Sequence, residues 1–252
     1  YTVVADFNPV SGKLQGEETI VYKNNSPDTL YRIVIRQYQN IFQKGVERDF
    51  TIGTSDLHDG VEMEYINVEG REVNLDDPQA YNSRGTVATL KLKKPLFPGD
   101  SLKLDMAWNV QLPDDVTIRY GKYGKHNWFV AYWYPHIAVY DDIAGWHTEP
   151  FTGSAEYYYD FNDFDVKLKL PDEYMAWGSG ILQNPEGHYT SLVRKRLKKA
   201  YSSNEVVHVA TAEEVDAGEV LKKKQDKYWH FQSENQADFA FAVSKSYIWD
   251  AT

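Results

Sequence analysis

The dominant pattern along the chain is alternation of apolar and polar positions. Leu102, Leu104, Met106 and Trp108 alternate with Lys103, Asp105 and Ala107, and Pro98-Gly99-Asp100 turns the chain just before them. Val166, Leu168 and Leu170 alternate with Asp165, Lys167 and Lys169, and Pro171 closes the run. Tyr31, Ile33 and Ile35 alternate with Arg32, Val34 and Arg36. Successive side chains of an extended chain point to opposite faces, so a period of two places one face on a core and the other in water. Further strand-like runs fall near 18–23, 61–69, 86–92, 128–134, 206–210, 228–233 and 240–244. Turn clusters such as Asn24-Asn25-Ser26-Pro27-Asp28 and Asn184-Pro185-Glu186-Gly187 separate them. Helical signals are few. Ser191 to Tyr201 holds good helix formers, and Thr211-Ala212-Glu213-Glu214 has the spacing of a capping box. Many short strands with one or two short helices predict an all-β fold, a large saddle-shaped antiparallel β-sandwich. No repeat, low-complexity tract or linker marks a boundary, so residues 1–252 are expected to form a single domain.

Charge narrows the partners. The 27 Lys+Arg stand against 37 Asp+Glu, a formal charge of −10. Such a field repels phosphate backbones, so no nucleic-acid partner is expected. The basic run Arg194-Lys195-Arg196-Leu197-Lys198-Lys199 reads as a solvated helix face. The absence of cysteine excludes disulfides, thiolate zinc sites and thiol nucleophiles. No apolar run approaches the roughly 20 residues that span a bilayer, so no transmembrane segment is expected. Tyr1-Thr2-Val3-Val4-Ala5-Asp6 does not read as a signal peptide; any such signal is expected to be removed or to lie upstream. The compartment stays open, with an exported one, periplasmic or extracellular, as the expectation.

The search for chemistry returns mainly exclusions. A metallopeptidase helix needs two His at i and i+4 so that both imidazoles face one zinc, with a Glu between them to activate water. The seven His, at 58, 126, 136, 147, 188, 208 and 230, include no such pair. No catalytic residue and no metal ligand is therefore expected in this chain. His147-Thr148-Glu149 lacks the Cys partners of a zinc deaminase, and Gly178-Ser179-Gly180 lacks the spacing of a nucleophile elbow. Asp160-Phe161-Asn162-Asp163-Phe164-Asp165 has oxygen ligands at suggestive spacing, but no Gly or terminal Glu of a calcium loop. It fits a turn feeding the strand after it. The carboxylate pairs Asp76-Asp77, Asp114-Asp115 and Asp141-Asp142 lie in turn-like surroundings, and nothing selects one of them for acid–base work.

Aromatic density is the positive oddity. Trp, Tyr and Phe number 7, 19 and 11, and Trp128-Phe129-Val130-Ala131-Tyr132-Trp133-Tyr134 packs five of them into seven positions. A strand there would carry aromatics on both faces, one of them core and the other a second layer, a domain interface or a ligand platform. A carbohydrate-binding sandwich is one reading, and it requires Trp128, Trp133 and Trp146 on one exposed flat surface. A self-sufficient enzyme is another, and it requires converging His or carboxylate groups in a deep cleft.

The segment Trp133-Tyr134-Pro135-His136-Ile137-Ala138-Val139-Tyr140-Asp141-Asp142-Ile143-Ala144-Gly145-Trp146 resembles the signature of the N-terminal β-domain of bacterial M1-family zinc aminopeptidases. Further similar stretches are Leu14–Leu30, Gln39-Asn40-Ile41-Phe42, Pro150–Gly153, Asp160–Val166, Trp177–Leu182, Trp229–Ala240 and Tyr247–Asp250. Together they run from about residue 1 to residue 250 in family order. The resemblance implies a saddle-shaped β-sandwich standing before a thermolysin-like catalytic domain, which would begin about where it ends. It implies zinc in that catalytic domain and no cofactor here. The implied partners are the C-terminal catalytic domain and, in the full-length protein, a peptide substrate. The family also carries a Gly-x-Met-Glu-Asn loop for the substrate amine. In Gly60-Val61-Glu62-Met63-Glu64-Tyr65 the Met falls one position late and Tyr65 replaces the Asn, so that segment reads as a strand start. Family members tend to carry Gln just before Trp-Tyr-Pro, where it reaches the substrate pocket; this chain has Tyr132. Tyr132, Trp133 and His136 are accordingly the expected residues at the substrate rim, shaping the pocket without transferring protons.

Overall fold

The computed structural model describes residues 1–117, 120–156 and 158–252. Its first strands are β1 (Thr2–Asn8), β2 (Lys13–Lys23), β3 (Leu30–Arg36) and β4 (Glu62–Val68), with 3₁₀ turns at Tyr38–Phe42 and Thr54–Asp56 between β3 and β4. Then come β5 (Arg71–Glu72), β6 (Tyr81–Arg84), β7 (Val87–Leu96) and β8 (Ser101–Gln111). Five short strands follow: β9 (Gly121–Tyr123), β10 (Asn127–Val130), β11 (His136–Ile137), β12 (Tyr140–Asp141) and β13 (Gly145–Trp146). The next stretch holds β14 (Asn162–Lys169), β15 (Met175–Gly178), β16 (Ile181–Leu182), α1 (Pro185–His188) and α2 (Ser191–Ala200). The chain ends with β17 (Val207–Ala210), α3 (Ala212–Asp216), β18 (Trp229–Gln236), β19 (Phe241–Ser244) and β20 (Trp249–Ala251).

An eight-stranded sheet, in the order β16-β18-β14-β1-β2-β8-β4-β5, carries two four-stranded sheets on one face. One cover sheet, β15-β19-β10-β9, brings Trp128, Val130, Phe241 and Val243 against Phe7, Leu14, Trp108 and Leu168. The other, β11-β3-β7-β6, brings Ile33, Ile35 and Leu90 against Ile20, Ile66, Leu104 and Met106. The architecture is the all-β sandwich that the alternation predicts. Pairing in the large sheet is antiparallel except between β1 and β14, which run parallel from Thr2↔Asp165 to Asp6↔Lys169. Parallel pairing needs a long connection, and the cover sheet β11-β3-β7-β6 lies wholly within it, together with β9 and β10 of the other.

Leu102, Leu104, Met106, Trp108, Val166 and Leu168 are buried as the period of two requires, while Leu170, beyond the end of β14, is only half-buried. β2 and β8 pair along their whole length, which sets Gly16 opposite Trp108. A Cβ at Gly16 would lie 2.5 Å from Trp108 Cζ2, so only glycine leaves room for the indole. β3 departs from expectation. Tyr31 is 67% exposed because the β3–β7 register shifts between Leu30 and Arg32. Past the shift, residues 33–36 are buried on both faces, and Arg36, expected in water, donates from Nη1 to the carbonyls of His147 (3.3 Å) and Glu149 (2.8 Å).

Both expected helices form, as α2 and α3, and α1 adds one turn within the Asn184–Gly187 cluster read as a turn. Thr211 and Glu214 close the capping box: Thr211 Oγ1 accepts from Glu214 N at 3.4 Å, and Glu214 Oε2 accepts from Thr211 N at 3.1 Å. The basic helix α2 lies largely in water, but Arg196 reaches α3 and pairs with Glu214 at 2.6 Å. Phe164 is buried on β14 while Phe161 is 66% exposed. The carboxylates around them serve separate partners: Asp163 accepts from Asn235 N, and Asp165 holds His230 at 3.0 Å and Gln232 at 2.6 Å.

Candidate functional site

Residues 131–135 carry the chain from β10, in one cover sheet, to β11, in the other, and so occupy the seam between them. The expected strand over 128–134 stops at Val130. Trp128 and Val130 point inward and Phe129 outward, as alternation demands. Tyr132 then breaks the pattern with φ 57, a left-handed conformation that is a genuine outlier for a bulky residue. The reversal sends both Trp133 and Tyr134 inward.

A buried amide holds this turn. Gln39, 1% exposed, donates from Nε2 to the carbonyls of Ala131 (3.2 Å) and Tyr132 (3.1 Å). Its Oε1 accepts from the Tyr120 hydroxyl at 3.0 Å. Asn40 fixes the adjoining strand, accepting from Val61 N at 2.6 Å and donating to the Gly85 carbonyl at 2.8 Å. Gln37 Oε1 accepts from Ser83 Oγ at 2.7 Å. Buried polar atoms without partners are costly, so Gln39 and Asn40 commit the backbone they bond to one arrangement.

The three expected rim residues take different places. Tyr132 is half-buried, edge-on to Tyr38 (6.0 Å between centroids) and to Tyr120 (5.8 Å). Trp133 is core: its Nε1 donates to the Phe239 carbonyl at 2.9 Å, and its own carbonyl accepts from Trp108 Nε1 at 3.2 Å. His136 is also enclosed, 4.9 Å from the Tyr159 ring, 5.3 Å from Tyr1 and 5.7 Å from Tyr134. Of the three, only Tyr132 presents surface to a ligand.

Burial dominates the electrostatics of this region. Burial pushes the His136 imidazole down to about 4, against the opposing pull of backbone hydrogen bonds to Ile137 and Ala237. Burial also drives the Tyr134 and Tyr120 hydroxyls far above the usual phenol range. Tyr134 donates to Asp238 Oδ1 at 2.7 Å, and desolvation raises that carboxyl. The gap enclosed by residues 37–39, Val61 and residues 132–135 is too tight to admit a water. The arrangement is an aromatic ledge held by hydrogen bonds across the seam.

Among the described residues no three His, Asp or Glu side chains gather to hold a metal ion. Trp128, Trp133 and Trp146 are buried and cannot form the stacking platform a carbohydrate-binding module needs. The sequence placed Gln39 in a family-like stretch without a role, and nothing in it singled out Tyr120. The signal was present: Gln37, Gln39 and Asn40 interrupt an apolar stretch that runs from Ile33 to Phe42, and polar groups inside such a stretch need dedicated partners.

No protein-family model matches the chain, and no curated protein matches it. Solved structures do. The M1 zinc metallopeptidase of Deinococcus radiodurans aligns over 96% of this chain and 40% of its own, with 12% identity and a TM-score of 0.47. A mutant of that enzyme bound to a Tyr-Ser-Ala substrate aligns over 96% and 41%, with 13% identity and a TM-score of 0.48. A mutant two-domain M1 zinc metallopeptidase bound to L-arginine gives 96%, 41%, 12% and 0.48. The chain thus spans about two fifths of the length of these structures, and they belong to the family that its sequence resembles.

Proposed function

We propose that this chain is the non-catalytic front β-domain of an M1-type zinc aminopeptidase. It packs on a catalytic domain, and the Tyr132 ledge shapes the entrance for the first residues of a peptide. The observation that carries the reading is the ordered run of family-like motifs around Trp133–Trp146, together with what stands at its head. Where family members carry Gln, this chain has a half-exposed tyrosine in a left-handed conformation, held there by a buried amide. Strained, over-determined backbone of this kind gathers at ligand-contacting positions. Burial holds the His136 imidazole down to about 4, which fits a shaping role for this residue and not a proton-transfer role.

Two measurements test this. In the intact protein, Tyr132→Ala should shift KM or the preference for the peptide's first residue while leaving folding stability nearly unchanged. Unaltered kinetics, or a variant that simply unfolds, would remove Tyr132 from the functional account. The 252-residue chain by itself should bind no stoichiometric zinc and release no amino acid from peptides. One tightly held zinc per chain by elemental analysis would overturn the assignment of zinc chemistry to another part of the protein.

A further inference from the structure

A cavity of about 530 Å³ opens at the end of the second core, away from the Tyr132 ledge and sharing no lining residue with it. One wall arises from irregular pairing. β7 meets β3 at Lys91↔Arg32 and again at Leu96↔Leu30, so residues 92–95 stand opposite Tyr31 alone. Surplus residues of this kind bow a strand away from its neighbour. The opposite wall is the β4–β5 hairpin, which reverses at Glu69 (φ 51) and Gly70 (φ 72). The loop at 73–80 closes the side and is fixed by its own bonds: Asp77 O accepts from Ala80 N at 2.9 Å and from Tyr81 N at 3.0 Å.

The floor is aliphatic. Val68, Val73, Leu92 and Leu102 line it, and the last three are 9%, 7% and 7% exposed. Deeper members of the same core, Ile66, Leu90, Leu104 and Met106, are fully buried at 0%. The two layers therefore fail to close at this end and leave apolar surface at the bottom of a cleft. Its mouth is cationic. Arg71, Lys91, Lys93 and Lys94 line it, and among the described residues none of the four has an ion-pair partner. Three carboxylates line it as well, Glu69, which accepts from Lys103 N at 2.6 Å, Asp77, which accepts from Gln79 N at 2.9 Å, and Glu72, so the four cations exceed the lining anions by one. A local excess of cations in a chain of net charge −10 favours a ligand bearing a single negative charge.

The geometry points to a binding site for an aliphatic monocarboxylate, with its tail on Val68, Val73, Leu92 and Leu102 and its carboxylate at the lysine rim. The volume lies in the range of small-molecule sites. A peptide adding as a strand suits the site less, because β5, the sheet edge beside the cleft, offers only Arg71 and Glu72.

Decanoate is the probe, followed by methyl NMR of the 252-residue chain below the micelle threshold. Saturable shifts confined to the methyls of Val68, Val73, Leu92 and Leu102 are expected. Replacing the exposed rim lysines together (K91Q, K93Q, K94Q) should weaken decanoate by about tenfold, as three modest exposed ion pairs would predict. Decanol, which lacks the charge, should bind the variant and the original equally. No saturable shift, shifts centred elsewhere, or equal weakening of decanol would overturn the proposal. So would sedimentation with anionic vesicles without any response to decanoate.

Discussion

Replacing Gln39 with Leu tests whether one buried amide holds the Tyr132 turn. The substitution removes three hydrogen bonds: two from Nε2 to the carbonyls of Ala131 and Tyr132, and one accepted from Tyr120. The Tyr120 hydroxyl and the Ala131 carbonyl both lie in residues that are almost fully buried, so water cannot replace the lost partner. Each stranded polar group costs about 1–3 kcal/mol, and the leucine recovers part of that by burying apolar surface. A net loss of about 2–4 kcal/mol is expected from urea denaturation with an unchanged m-value. Tyr120→Phe alone should cost about 1–2 kcal/mol by stranding Gln39 Oε1. The double variant should recover about 1–2 kcal/mol relative to the sum, because neither partner is then left unsatisfied. In the intact protein, Gln39→Leu should also reproduce the KM shift of Tyr132→Ala. A loss below about 0.5 kcal/mol with no coupling to Tyr120 would refute the claim that this amide fixes the turn.

Other substitutions probe the frame around the ledge. Leu168→Asp places an unpaired charge in the first core, with an expected loss of several kcal/mol by chemical denaturation; unchanged stability would mean that its face is misassigned. Gly16→Ala drives a methyl into the Trp108 ring and should cost about 1–3 kcal/mol while shifting the near-ultraviolet signal of the buried indoles. His136 titrates near 4 when folded and about 6.5 when unfolded, so its contribution to stability is complete above about pH 6.5 and is lost as pH falls toward 4. The full swing is about 3 kcal/mol, opposed in part by Glu18 and Asp238, whose carboxyls desolvation raises. His136→Gln should flatten the stability–pH curve between about pH 6.5 and 4.5, and an unchanged slope would count against this assignment.

Alternation along the chain carried most of the frame. The burial of Leu102–Trp108 and of Val166 and Leu168 follows from side-chain period alone, because water on one face and apolar contacts on the other sort residues locally. The capping box at Thr211 is likewise a matter of four consecutive residues, and the sequence states it in full. The family-like motifs could also be read without coordinates. Tertiary structure decided whatever depends on what lies across a face. Arg36 becomes buried only because residues 147–149 return to cover β3, and Tyr31 becomes exposed only because β7 slips against it. The parallel pairing of β1 with β14 joins residues more than 160 positions apart, beyond the reach of any local pattern. The rim assignment divides on the same ground. Alternation would have carried Tyr132 and Trp133 to opposite faces of one strand, but the bonds that Gln39 makes across the seam reverse the backbone there. Trp133 is thereby sealed in the core, and Tyr132 is left at the surface.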